Sequence, residues 1–495
     1  MSKEQEPPRF HREIYQAASR FLEASFRRLT DEGVLPRSPY YVYLSVGRDY
    51  FGDSIRSLAE YGELESLLNN SYPNRFDEPL KKKYAEFSST YIFSFLSAAI
   101  ATFGKGHFAD AQTSGVVNKC IQELLSVLDE AEFEIVCCRE VSHLTTVTGE
   151  PLDLGRLTII PDGKKTSGLR LSDLANKYIP GAYGAFGGER PFHFDPPSSL
   201  IVIRARSSGD PWAQANILSN EIDRFLLYIH LLHSATSQSK WQVFGTSTLV
   251  SQMSPEYMAY SGRSGFAPLR RTTVLSKEEL EPIETLAEIF AAVGIRRSGM
   301  VATSFDMAIH RFMRTYAKDD YFDQIVDLAT ALEALLTSND QGNDAISLRL
   351  RNRASALLST PGDSAESIFK DVGLLYSLRS ILVHGGSIKE KDLKKEIMKI
   401  STVSESDPFG TALARGVDRL RDLVRRSFLA RIALGHGKVA LWSFETNTPV
   451  DLALSSDAGR TIWRNTWRAH LNEKGIGSYI DEAKTALDFI SREDQ

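Results

Sequence analysis

Cysteine is scarce: Cys120, Cys137 and Cys138 are the three in a chain of 495 residues. That excludes a disulfide framework and the paired-cysteine spacing of a structural zinc site. Cys137 and Cys138 are neighbours in what reads as a strand, so they point to opposite faces and cannot share a ligand. A reducing, intracellular setting fits this usage. Long hydrophobic runs are missing too. The longest apolar-looking stretch, 91–103, is interrupted by Ser94, Ser97 and Thr102, and it falls short of the ~20 residues that span a bilayer. The polar start MSKEQEPPRF has no signal-peptide core. We therefore expect a cytoplasmic protein with no membrane partner. Internal repeats and low-complexity tracts are absent.

Several chemistries are excluded in the same way. GAYGAFGGERP (181–191) is Gly-rich but lacks a Lys-Ser/Thr ending, and DGKKTSG (162–168) lacks the first glycine of a phosphate loop. No Gly-x-Ser-x-Gly elbow is present. His230 and His233 share a face of an apolar helix with no carboxylate ligand nearby in sequence, and read as core or interface. No metal and no cofactor is expected.

What is present reads as globular: 42% hydrophobic and 24% charged residues, in a chain long enough for several cores. Apolar periodicity divides it into a helical region over 1–130, a mixed α/β domain over 131–280, a helical bundle over 281–435 and an extension over 436–495. The fold class is mainly α. In the first region the period predicts helices over 13–28, 56–68, 84–102 and 116–130. Short β-rich runs at 132–138, 155–161 and 199–205 mark the second, followed by a helix over 213–233 and a strand near 241–245. The third holds helices within 304–336 and over 345–358, 365–383 and 411–434, joined by polar connections as in an antiparallel bundle. The extension carries VALWSF (439–444) and a last helix over 480–491. Net charge is −5, but residues 341–440 hold 17 Lys and Arg against 11 Asp and Glu, an excess of +6 that leaves −11 elsewhere. A local polyanion site and a solvated helical surface both account for such an excess.

One helix carries chemistry. In DVGLLYSLRSILVHGG (371–386), Leu374, Leu375, Leu378, Ile381 and Leu382 fall on one side of a helical wheel. The other side holds Tyr376, Arg379, Ser380, Val383 and His384 instead of the usual Lys/Glu mixture. Gly385 and Gly386 end the helix. A guanidinium, an imidazole, a hydroxyl and an aromatic ring on one surface suit acid–base chemistry on a phosphate, and the Tyr and Val suggest cover by a second subunit.

The spacing of Arg379 and His384, set in LYSLRSILVHGG, resembles the Apea-like branch of the HEPN superfamily. IVDLATALEALL (325–336) and LRLRNRASALL (348–358) resemble the same branch, in matching order, and the resemblance covers roughly residues 300–435. It implies a helical bundle, a homodimer formed through that bundle, and a metal-independent endoribonuclease whose composite site joins Arg379 and His384 of two subunits. His384 would serve as general base or acid, and Arg379 would bind phosphate and neutralise the transition state. The resemblance further implies anti-phage defence by abortive infection, an RNA substrate such as tRNA, and a phage-derived trigger. Ser380 departs from the pattern, since many nuclease members carry Asn, Asp or His there. That departure keeps a second reading open, a non-catalytic HEPN module for dimerisation and RNA or protein binding.

Around this pair, Glu333 beside the stripe of 325–336 needs a partner, with Arg353 or Arg379 as candidates, or else sits on the exposed edge. Arg349, Arg351 and Arg353 form the densest basic cluster, either tracking an RNA backbone or lying on a solvated edge. Tyr376 would stack on a base or pack in the dimer. His310, Arg311 and Arg314 share a helix and are expected to be structural, with an accessory phosphate site as the alternative, and Arg419, Arg421, Arg425 and Arg426 are expected to be surface charge.

Overall fold

The computed structural model describes residues 9–33, 52–72, 92–93, 95–100, 112, 115–130, 132–162, 171–179, 198–208, 211–233, 237–247, 256–259, 272–293, 303–318, 320–337, 345–384, 389–436, 440–444 and 448–480. The Gly-rich 181–191, Gly385 and Gly386, most of 84–102 and nearly all of the helix expected over 480–491 lie outside the described residues. The chain is mainly helical, with a sheet of modest size. It folds as two compact units: one of 1–140, 149–222 and 241–259, the other of 141–148, 223–240 and 260–495.

In the first unit, helices α1 (Arg9–Asp31), α2 (Ala59–Ser71) and α3 (Val116–Asp129) carry apolar residues at three- and four-residue spacing. Ile14, Phe21 and Leu22, then Leu64 and Leu68, then Ile121 and Leu124, enter one core with Ile92 and Phe95. The rim is tied by Tyr72, whose hydroxyl donates to Asp129 at 2.9 Å, the same carboxylate oxygen that His11 approaches at 3.0 Å. The strands of this unit are β1 (Phe133–Ser142), β3 (Leu152–Leu154), β4 (Leu157–Pro161), β5 (Ser198–Ser207), β6 (Gln238–Thr246) and β7 (Glu256–Ala259), in the sheet order β3-β4-β5-β1-β6-β7. Alternate residues Val136, Cys138, Leu200, Val202, Trp241 and Val243 make a second core, with Leu174 and Ala175 of α4 (Leu171–Tyr178). Cys120, Cys137 and Cys138 are all buried free thiols.

The second unit joins a short parallel pair, β2 (Leu144–Thr146) with β8 (Thr273–Leu275), to a set of packed helices. After α5 (Pro211–Leu232), which begins in the first unit, come α6 (Leu280–Val293), α7 (Ser304–Arg314), α8 (Tyr321–Leu336), α9 (Ile346–Leu358), α10 (Ala365–Val383), α11 (Glu390–Ile397), α12 (Phe409–Gly435), the single turn α13 (Val450–Ala453) and α14 (Asp457–Glu473). Side-chain caps fix their starts. Thr303 and Asp306 form a reciprocal capping box, while Asp320, Ser364 and Ser456 accept from the third backbone N–H of α8, α10 and α14. The stretch 304–336 is thus two helices, separated at Lys318.

α12 is the hub: α6, α8, α9, α10, α11 and α14 all pack on it. Its arginines are not surface charge. Arg419, Arg421, Arg425 and Arg426 are all buried, as is Arg431. Arg419 spans Asp371 on α10 (2.8 Å) and both oxygens of Asp363 (2.9 and 2.8 Å). Arg426 reaches Asp363 at 2.6 Å and Asp422 at 2.8 Å. Burial opposes ionisation of Asp422, but the Arg426 and Arg425 guanidiniums outweigh it and hold the carboxyl below the usual range. Asp363 and Asp371 come from distant segments, so the helix's own sequence could not announce them, whereas Asp422 lies one turn away on α12 itself. The last segment also belongs to this core: Trp467 Nε1 donates to the Leu357 carbonyl at 3.1 Å, and Arg431 lies 3.8 Å from the centroid of the Phe444 ring.

Candidate functional site

α10 has two different halves. Near its start Asp371 is buried, accepting from the Ser401 N–H at 2.9 Å and from Arg419. Gly373 lies against Arg351, where an added Cβ would stand 2.7 Å from Nε; only glycine allows that approach. Leu375 and Leu378 are buried, whereas Leu374, Ile381 and Leu382 are half-buried, so only two of the five leucine and isoleucine residues expected on the core face are fully covered. Val383 is 49% exposed, and His384 is exposed. The helix therefore starts inside the unit and ends at its surface.

His384 is the C-cap (φ −87°, ψ 10°), its N–H bonded to the Ser380 carbonyl at 3.1 Å. Among the described residues its imidazole has no hydrogen-bond partner. Arg379 stands one turn earlier, half-buried. Its guanidinium is 3.9 Å from Glu333 Oε2 on α8, and 5.6 Å from the Tyr376 ring centroid. The same Glu333 oxygen accepts from the Tyr376 hydroxyl at 3.0 Å. Burial first, and the Glu333 charge second, raise the Tyr376 phenol above its ordinary pKa. Arg379 Nε is buried without an acceptor. Of five donors in that fork, none makes a hydrogen bond within the described residues. Glu333 thus has Arg379, and not Arg353, as its cationic neighbour.

Arg379 and His384 are five residues apart, which on a helix means about 140° of rotation and about 7.5 Å of rise. One copy of α10 therefore does not aim both side chains at a single point, contrary to the shared face expected from the wheel.

The three arginines of α9 do not form a common strip. Arg353 is buried, with Nε and one terminal nitrogen paired to Asp451 at 2.7 and 2.8 Å and the other donating to the Leu336 carbonyl at 2.6 Å. Its fork is used inside the protein, which removes it from an RNA-facing cluster. Arg351 stacks 3.8 Å from the Phe369 ring centroid and donates to the Phe369 carbonyl at 3.1 Å. Arg349 approaches Asp451 at 3.7 Å and keeps partial exposure.

Arg311 and Arg314 are tied into the bundle, while His310 is exposed. Asp327, buried on α8, takes Arg311 at 2.7 Å and Lys318 at 2.8 Å, with Arg314 at 3.9 Å. Burial works against its charge and the Lys318 and Arg311 hydrogen bonds outweigh that, lowering its pKa. His230 is buried and stacked on Tyr316 at 3.6 Å; burial, then the Arg421 charge, push it down to about 3, so it is neutral. His233 faces Glu279 at 3.1 Å. No cluster of three or more His, Cys, Asp or Glu arranged to hold a metal occurs among the described residues.

No family model, curated protein or solved structure matches the chain. α14 is not among the elements expected in the extension, where VALWSF and a last helix are the visible features. The four-residue spacing of the buried Trp463, Trp467 and Leu471 was the available signal.

Proposed function

We propose that this protein is a metal-independent endoribonuclease of HEPN type, working in the cytoplasm as a homodimer in anti-phage defence. The observation that supports it is the end of α10: an exposed imidazole at a helix terminus, about one turn from a guanidinium, neither with a hydrogen-bond partner among the described residues. RNA brings its own nucleophile. The protein need only remove the 2′-OH proton, protonate the 5′-oxygen that leaves, and stabilise the charge on phosphorus. His384 would move the protons. Arg379 would bind the non-bridging oxygens, which bear more charge in the transition state than in the ground state. The products would be a 2′,3′-cyclic phosphate and a 5′-hydroxyl. The 140° divergence within one α10 supports a site composed across two subunits, and the exposed Val383 beside His384 offers apolar area for that contact.

A second reading, a non-catalytic module for dimerisation and RNA or protein binding, is favoured by Ser380 and by the Glu333 carboxylate already beside Arg379. The two separate on chemistry. Purified protein is incubated with total RNA and tRNA in EDTA, wild type beside His384→Ala. Discrete products with cyclic phosphate ends, absent in the variant, are expected of the nuclease. Cleavage that persists in the variant would reject the site assigned to it, and binding without cleavage would favour the module.

A further inference from the structure

α14 carries Arg460, Arg464 and Arg468 at successive four-residue steps. Four residues advance a helix by about 6 Å and return it to nearly the same face, so the three cations form a ladder. They flank the buried stripe of Trp463, Trp467 and Leu471, which fixes the helix on α9 and α12. Trp467 Nε1 on the Leu357 carbonyl and Arg464 Nε on the Ala356 carbonyl at 3.2 Å lock the rotation of α14 about its axis. The helix face that carries the ladder is therefore pre-set.

At Arg460 and Arg464 the charge is weakly compensated among the described residues. Arg460 pairs at 2.5 Å with Asp457, a side chain 97% exposed and readily hydrated. Arg464 makes no ion pair among the described residues. Burial lowers the Arg464 pKa, and the Arg468 and Arg460 charges lower it further. Like charges four residues apart on a helix repel and destabilise it. Arg419, Arg425 and Arg426 of α12 differ, since they are matched by Asp363, Asp371 and Asp422. Among the described residues no carboxylate closes on Arg464 in that way.

We propose that the α14 ladder binds the phosphate backbone of single-stranded RNA. The regular step of about 6 Å is comparable to the separation of consecutive phosphates along a sugar–phosphate chain, and guanidiniums are the matching donors. Nothing on this face reads bases, so the contact is independent of sequence. The choice of RNA over an acidic polypeptide rests on the ribonuclease reading.

The test uses the full chain carrying His384→Ala, so that RNA survives, and a short fluorescent single-stranded RNA followed by anisotropy over a range of KCl in EDTA. Removing one phosphate-binding cation should flatten the plot of log K against log salt by about 0.7 and weaken binding roughly five-fold near 0.1 M salt. Arg464→Gln and Arg460→Gln should each do this, and the double variant should do about twice as much on the slope. Arg460→Gln removes only an exposed pair, so it keeps the test decisive if loss of the Ala356 bond disturbs folding; Arg460→Lys should retain the slope. Unchanged slope and affinity in both Gln variants overturns the proposal. So does failure of the parent to bind RNA, or ladder-dependent binding of polyglutamate in place of RNA. The nuclease reading fails separately: cleavage by the otherwise wild-type chain that His384→Ala leaves intact would remove the active site and leave the ladder standing.

Discussion

Arg379 on α10 and Arg419 on α12 are the same side chain on two helices that pack together, and the protein employs them in opposite ways. Arg419 is buried, with three hydrogen bonds to two carboxylates. Burial works against its charge, and the bonds and charges of Asp363 and Asp371 outweigh that and raise its pKa. Arg379 has one carboxylate at 3.9 Å and a buried Nε with no acceptor. An ion pair without a hydrogen bond is a weak restraint, and an unmet donor costs stability that an incoming oxygen would restore. Spare bonding capacity, and not positive charge as such, separates an arginine available to a ligand from one that holds a fold.

The largest expected effects come from exchanging the roles. Arg379→Ala should lower cleavage by about 10²–10³-fold while leaving the melting temperature nearly unchanged. Arg419→Ala should do the reverse, leaving Asp363 and Asp371 short of a cation and destabilising by about 3–5 kcal/mol, read from urea midpoints. If both variants lost activity and stability together, the distinction would collapse.

A smaller effect separates a buried base from an exposed one. His230 is held near 3 against an unfolded value of about 6.5. Its folded pKa is depressed, so the stability linked to its neutral form is present above about pH 6.5 and is lost as pH falls toward about 3. Wild-type stability should therefore drop by up to ~1.4 kcal/mol per pH unit from this residue across that window. His230→Phe, which keeps a ring on Tyr316, should flatten the urea midpoint between pH 6 and pH 4. An unaltered pH dependence would mean that His230 protonates in the folded state. Cleavage governed by His384 should change with pH independently of that variant.

The smallest effect sharpens the account of Arg379 itself. If Glu333 competes with phosphate for the guanidinium, Glu333→Gln should tighten RNA binding by up to about five-fold, the worth of a pair of ~1 kcal/mol. Weaker binding in the same anisotropy measurement would show instead that Glu333 positions Arg379 for its substrate.

Much of the helical architecture is legible in the sequence. The apolar period places α10 over 365–383, where it is found, and places the start of α3 at Val116. The Gly/Pro-bounded runs locate β1, β4 and β5. Other features are hidden for identifiable reasons. The Lys-rich 390–397 looks like a connection because charge masks a short amphipathic helix, yet Leu393 and Ile397 are buried. Arg419 and Arg426 on α12 look solvated because Asp371 and Asp363 lie 48–63 residues away in sequence. The excess of +6 over 341–440 misleads for that reason, since Arg353, Arg419, Arg425 and Arg426 bury much of it. In the candidate site the sequence places the helix end at His384, where it is found, but overstates the shared face of Arg379 and His384, because five residues are neither three nor four.

The hold of Asp451 on Arg353 has a practical consequence for dissecting this protein. A shortened chain ending near residue 436 looks natural from the sequence, where the helical pattern stops. Such a fragment would strand one guanidinium in the interior, open the Leu357 carbonyl and uncover the seat of Trp467. The final segment is part of the bundle's masonry: any fragment or chimera meant to carry α10 must carry α13 and α14 with it.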